Sequence, residues 1–385
     1  MSRLIEIKYS TLIILFILLN FVIPAQESPT DSVTKHANYT EEVDEYNNDD
    51  DEPVIDTTAE YIKAYRNGMA LVDSGKFNDA WPIFKKIIKE HPDFYQAYVR
   101  IAYIYYKLDR FDDAEKNILR AEKIRPLSFE ALRVQGMIYH DVLDFPRAKK
   151  AIDSAVAISK RKKIDDPELY YYQAMLMFKG KSYKPAILTL ITALDWKPDY
   201  LNALKLRGEI RYTMKDYTRA IPELDEAINA MPEKEIDYYY YKLRAISKFN
   251  IRDYQGSIKD WSVVIDNDEK DEEAFTFRAN AKINIGDNSG AIDDLDKAIK
   301  LNPKNPVNYC HRGIAKNQNK SYVEALKDMD QAIKLKFNYA EAYFRRACIK
   351  LNSKDKHGAC DDLSKAESLG DPDAHKYFDR FCRVN

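Results

Sequence analysis

The sequence predicts an all-α solenoid of about nine helix pairs closed by a terminal helix. Three observations carry this. Residues 61–373 repeat with a period of 34. In every repeat, two positions twelve apart hold a small residue inside an apolar segment of helical period. Only 11 glycines punctuate 385 residues, too few for a turn-rich β protein, while 45% apolar residues suffice for a continuous core.

The elements follow in chain order. Residues 1–25 read as a secretory signal: Arg3 and Lys8, then the apolar run STLIILFILLNFVI, then a small residue, Ala25, as the cleavage point. The fourteen residues of that run are fewer than the about 20 that span a bilayer, so an anchor over 10–23 is the less favoured alternative. No cysteine follows the run, which excludes a lipoprotein anchor. The mature chain is expected outside the cytoplasm, periplasmic or secreted.

Residues 26–60 hold twelve Asp or Glu against one lysine, Lys35, with few aliphatic side chains. Such a stretch buries too little to offset its ordering entropy and is expected to be disordered. It carries −11, residues 1–25 carry +1, and the total of −2 leaves +8 on residues 61–385. An acidic arm beside a basic body reads as a solvated spacer; the alternative is that it folds back and competes with acidic ligands, an effect salt would screen.

Nine units fit the period: 61–94, 95–128, 129–162, 167–200, 201–234, 238–271, 272–305, 306–339 and 340–373, with short insertions at 163–166 and 235–237. The eighth position of each unit runs Gly68, Ala102, Gly136, Ala174, Gly208, Ala245, Ala279, Gly313 and Ala347; the twentieth runs from Ala80 to Ala359 with Ser257 the one exception to alanine. Two small residues at this spacing let two helices cross closely. Position 24 is large and apolar throughout, from Phe84 to Leu363, and Pro92, Pro126, Pro198, Pro232 and Pro303 close five units where a helix must stop.

These positions resemble the tetratricopeptide repeat (TPR) family over essentially all of 61–373. The resemblance implies a right-handed superhelix of helix pairs, a concave groove lined by positions 2, 5, 9 and 12, and a solvating cap helix over 374–385. It also places the run DYYYYKLR. Tyr241 becomes the bulky residue inside the pair, Tyr238 and Tyr240 pack on the preceding helix, and Tyr239 points into the groove.

Position 7 is arginine only in the last five units, as Arg207, Arg244, Arg278, Arg312 and Arg346. Those same units carry an acid at position 23: Glu223, Asp260, Asp294, Asp328 and Asp362. Five structural ion pairs within units are expected, each contributing about 0.2–1 kcal/mol if partly exposed.

By the family pattern the groove of the first four units is aromatic and rich in methionine. The candidate partner-binding residues are Tyr65, Met69, Tyr103, Tyr106, Met137, Tyr171, Met175 and Phe178, suited to an apolar helix or extended peptide. The alternative is that these side chains only pack on the neighbouring helix. The family's carboxylate clamp for chaperone tails needs asparagine at position 9 and lysine at 5; only Asn280 fits, with Thr276 where the lysine belongs, so that mode is not expected.

No catalytic or phosphate-binding motif is present, and no cofactor or metal is expected. Cys348, His357, Cys360, His375 and Cys382 gather near the end. A Cys360–Cys382 disulfide tying the last unit to the cap suits an oxidising compartment; a zinc site and a buried free thiol are the alternatives. Positive charge is modest and interleaved with acids, which disfavours nucleic acid. The reading is a non-catalytic scaffold outside the cytoplasm that binds a peptide or helix of a partner protein, an envelope or secreted component. No small-molecule substrate is expected, and membrane association would come only through the first residues. The alternative is a chaperone-like or secretion accessory subunit binding translocated polypeptides.

Overall fold

Helical periodicity and close-crossing positions do produce stacked helix pairs. The structure, a computed structural model, describes residues 59–383; residues 1–25, read above as a signal, and nearly all of the acidic segment lie outside the described residues. The first five pairs are α1 Glu60–Asp73 with α2 Phe77–Glu90, α3 Tyr95–Lys107 with α4 Phe111–Ile124, α5 Phe129–Asp141 with α6 Phe145–Lys162, α7 Pro167–Lys179 with α8 Tyr183–Trp196, and α9 Leu201–Thr213 with α10 Tyr217–Asn229. Four more follow: α11 Tyr238–Asn250 with α12 Tyr254–Asn267, α13 Glu272–Asn284 with α14 Asn288–Leu301, α15 Pro306–Gln318 with α16 Tyr322–Leu335, and α17 Ala340–Asn352 with α18 Lys356–Ser368. A terminal helix, α19 Ala374–Phe381, packs on α18. Among the described residues there is no strand, and no helix is long and apolar enough to cross a membrane.

Each helix packs on the next, and the first helices of most successive pairs touch one another as well. In a curved stack the elements that crowd together lie on the inside, so the first helices line the concave face. The small position 8 has a direct cause. It faces the large residue at position 24 of its own unit: a Cβ on Gly136 would lie 2.4 Å from Ile152 Cδ1, and one on Gly208 would lie 2.8 Å from Leu224 Cδ2. Ala80, Ala114 and their equivalents are fully buried at the same crossing.

One turn geometry recurs nine times. Between the two helices of every pair, position 15 has positive φ: Gly75, Asp109, Leu143, Lys181, Lys215, Arg252, Gly286, Lys320 and Lys354. Only two of these are glycine, the residue that takes this conformation at no steric cost. The backbone hydrogen bonds repay the others; at the third turn, Asp144 N–H donates to Tyr139 O at 2.8 Å and Leu143 N–H to His140 O at 3.0 Å. Position 16 then caps the second helix where it is Asp144, Asp253, Asp287 or Asp355, each accepting from the backbone three residues on.

The ion pairs of the second half are tighter than expected. Arg244, Arg278, Arg312 and Arg346 each grip the position-23 aspartate with Nε and Nη2, at 2.6 to 3.0 Å. Those aspartates are buried, not partly exposed. A lysine at position 11, absent from the sequence expectation, completes each: Lys248, Lys282, Lys316 and Lys350 reach the same carboxylates at 2.7 to 2.9 Å. The remaining arginine nitrogen, Nη1, reaches back to position 25 of the preceding unit, to Asp225, Ser262, Asp296 and Asp330. The rungs therefore join neighbouring units as well as the two helices of one. At the head of the row Arg207 is looser, 3.7 Å from Glu223, which Arg211 also approaches at 3.2 Å.

Candidate partner-binding groove

Side chains of α3, α5, α7, α9 and α11 face the concave side. Tyr65 is half-buried, accepts from Arg100 Nε at 3.1 Å and sets its ring edge against Phe84 and Phe94. Met69 and Tyr103 are half-buried, and the Lys107 ammonium lies 5.1 Å from the Tyr103 ring centre.

Two of the expected groove residues turn out to be core. Met137 is fully buried, inside a cluster on which Tyr103 and Tyr171 also pack. Tyr106 is also buried; its hydroxyl donates to Asp141 Oδ2 at 2.6 Å and lies 2.7 Å from that of Tyr172. His140 joins this network through Nδ1, 2.7 Å from Asp141 Oδ1. Position 12 turns inward for a regular reason: its ring meets an aromatic at position 17 of its own unit, as in Tyr106–Phe111, Phe178–Tyr183, Tyr212–Tyr217 and Phe249–Tyr254, at 5.2 to 6.1 Å. Phe178 is therefore only half available, while Tyr171 and Met175 remain partly exposed beside it.

The groove is polar as well as aromatic. Arg133 is held by Asp166 and Glu168, and Lys107 lies 3.6 Å from Glu168. Tyr171 stands edge-on to Tyr172 and Tyr200 at 5.5 and 5.6 Å, and Tyr239 stands edge-on to Tyr240 at 5.3 Å. Burial pushes the hydroxyls of Tyr171, Tyr200, Tyr239 and Tyr240 above the usual tyrosine range, so they stand as neutral donors. Near Tyr239 lies Glu209. Burial pushes its carboxyl up to about 7, with the nearby charge of Asp237 adding to the shift and a hydrogen bond from Tyr239 opposing it.

Beyond α11 the concave face becomes an amide network. Thr276 donates to Asn308 Oδ1 at 2.6 Å, Asn305 donates to Glu272 at 2.9 Å, and Asn352 donates to Asn317 at 3.1 Å. At the end of the array Cys360 of α18 and Cys382 beyond α19 are joined by a disulfide, with Cα atoms 5.6 Å apart. Both sulfurs being spent on each other, the zinc alternative loses its ligands. Cys348 packs half-buried on the same cluster, and Cys310 is buried. No group of three or more His, Cys, Asp or Glu among the described residues is placed to hold a metal.

Two stretches of this array, residues 71–138 and 272–305, match models of a known family, each described as a tetratricopeptide repeat. The chain is a tetratricopeptide repeat protein. Among curated proteins, this TPR chain is 25% identical over 198 residues to the BBSome complex member BBS4 of Bos taurus, an alignment covering 49% of the chain and 35% of that protein. It is 22% identical over 241 residues to the TPR repeat-containing protein MJ1428 of Methanocaldococcus jannaschii, covering 56% of the chain and 41% of that protein. The TPR chain thus spans well under half the length of either relative. Among solved structures it is similar to YrrB, a TPR protein described as having an unusual peptide-binding site (16% identity, TM-score 0.45, covering 52% of this chain and 97% of that one). It is also similar to a tetratricopeptide repeat protein of Parabacteroides merdae (17% identity, TM-score 0.46, covering 66% and 99%). TPR arrays in general are protein-interaction scaffolds.

Proposed function

We propose that this TPR chain is an exported scaffold that holds a segment of a partner polypeptide in the concave face of α3 to α11. The observation that carries this is the row of partly exposed side chains there, Tyr103, Tyr171, Met175, Tyr200 and Tyr239, with Tyr171 edge-on to Tyr200 and Tyr239 edge-on to Tyr240. Such a surface offers large contact area at low entropy cost together with donors for a peptide backbone. Export rests on the signal-like residues 1–25 and on the Cys360–Cys382 disulfide, which suits an oxidising compartment.

The test is capture from an envelope extract by the chain and by a Tyr171→Ala/Met175→Ala double variant, with the retained proteins identified. One protein held by the first and lost by the second supports the scaffold. A broad set of unfolded chains supports the alternative, an accessory subunit for translocated polypeptides. Equal capture by both means the groove is not the binding surface. Location is tested separately, by whether the mature chain recovered from the cell begins at Gln26.

A further inference from the structure

The turn between the two helices of the third pair holds apolar side chains out in solvent. Leu143 is 56% exposed and sits at a left-handed φ of 65°, where the other eight units place glycine or a charged residue. An apolar side chain gains nothing there by itself, and the backbone conformation disfavours it. Val142 beside it is 43% exposed, and Leu108, at the same position of the second turn, is 42% exposed. The turns of units two to four lie side by side. Tyr106, near the end of α3, donates to Asp141 at the end of α5 at 2.6 Å, and the Lys179 ammonium, at the end of α7, lies 4.6 Å from the ring centre of Phe145 at the start of α6. A small apolar patch is thus fixed at one edge of the array.

The residues around that patch complement one another. At position 15 units two, three and four carry Asp109, Leu143 and Lys181, all with positive φ. Asp109 and Lys181 are exposed, and among the described residues neither side chain has a hydrogen bond or ion pair. At position 14 the same units carry Leu108, Val142 and Gly180. Set against its own reverse, each row fits itself. In the first, acid meets base at both ends and leucine meets leucine in the middle; in the second, leucine meets glycine at both ends and valine meets valine. Neighbouring charges do not compete, being spent within the chain: Arg110 on Asp113, Asp144 on Arg147 and Lys107 on Glu168.

A two-fold contact requires this kind of match, since one patch must serve both sides, whereas an unrelated partner does not need the acid and the base to balance about Leu143. We propose that this edge is where a second copy of the chain docks, antiparallel, with the two-fold axis at Leu143. Leu143 and Val142 meet their counterparts on the axis, Asp109 faces Lys181 of the other copy on either side, and Leu108 fills the space beside Gly180 of the other copy. The contact uses the turns and not the concave face, so it stands or falls independently of the groove.

The test is sedimentation equilibrium of the full chain and of two charge variants, Asp109→Lys and Lys181→Asp. Each variant puts at position 15 a residue type that another unit already holds there, so the turn is kept, and circular dichroism checks the fold. The parent is expected to form a dimer. Each variant alone is expected to dimerise about tenfold more weakly, because like charges then face each other at both ends. In an equimolar mixture of the two variants opposite charges face each other again, and a dimer of one of each is expected at the parent's affinity. Leu143→Lys, which puts two like charges on the axis, is expected to abolish the dimer. A parent that stays monomeric at its highest soluble concentration overturns the proposal. So does a dimer that neither charge variant weakens, or one that the mixture fails to restore.

Discussion

Arg312 joins three carboxylate oxygens on two units: it donates to both oxygens of Asp328, at 3.0 and 2.6 Å, and to Asp296 of the unit before, at 2.6 Å. The two acids are not equivalent. Asp328 is 5% exposed and also holds Lys316, whereas Asp296 lies at the surface. Asp328→Ala leaves two cations facing a buried gap and is expected to cost about 3 kcal/mol. Asp296→Ala is expected to cost less than about 1 kcal/mol. Urea melts of the two variants, with amide exchange over α15 and α16 as local readout, check this; equal effects would contradict the burial argument.

Glu209 predicts a pH dependence of stability. Its neighbours are Tyr171 on α7, Tyr239, Tyr240 and Asp237 at α11, and Tyr212 and Lys205 on its own helix. Its folded-state carboxyl is raised from 4.5 to about 7. The folded chain therefore binds the proton more tightly than the unfolded one, and this contribution is fully present below the unfolded value and lost as pH rises through about 7. Relative to Glu209→Gln, the parent is expected to lose about 1–3 kcal/mol between about pH 4.5 and pH 8. A difference that stays flat across that range would show the carboxyl to be ordinary.

Leu143 takes φ of 65° in an exposed turn, where units one and seven have glycine. A side chain in that region costs about 1 kcal/mol, part of which glycine returns as unfolded-state entropy. Leu143→Gly is expected to raise stability by about 0.5 kcal/mol, seen as a small rise in Tm. A fall would mean that the leucine side chain contributes contact that the turn needs.

The disulfide ties only the last helix. Cys360→Ser is expected to fray α19, with faster amide exchange over 374–381, and to leave exchange in α1 to α16 unchanged. Because a solenoid unit touches only its neighbours, loss should not travel far along the stack. Exchange that quickened throughout the array would show the terminal helix to hold more than its neighbour.

What could be read from sequence was whatever repeats through contact within a unit. Glycine or alanine at position 8 and the bulky residue at 24 meet face to face, so each signals the other. Arginine at 7 and acid at 23 did likewise. Lys248 and its equivalents went unread because lysine on a helix surface is ordinary until an aspartate is known to be buried beneath it. Position 15 hid the turn, since seven of nine residues there are not glycine and only the backbone bonds show the conformation. Met137 and Tyr106 show the remaining limit. Their position names a face of the helix, while side chains from other elements, as Phe111 and Tyr172 do for Tyr106, decide whether that face stays open. Glu209 went unread, because one acid on a helix face is ordinary until its burial is known.

The arginine rungs begin at the fifth unit, and the groove side chains lie mostly at or before it. In mechanical terms the array is a spring wound in two gauges: bolted from unit to unit by one repeated rung in its second half, and joined in its first by aromatic packing and scattered bonds such as Arg100–Tyr65, Tyr106–Asp141 and Arg133–Glu168. Drawn out, or closing around a guest, such a spring changes pitch first in the lighter gauge. If the groove proposed above holds a partner segment, the half that grips is then the half that yields.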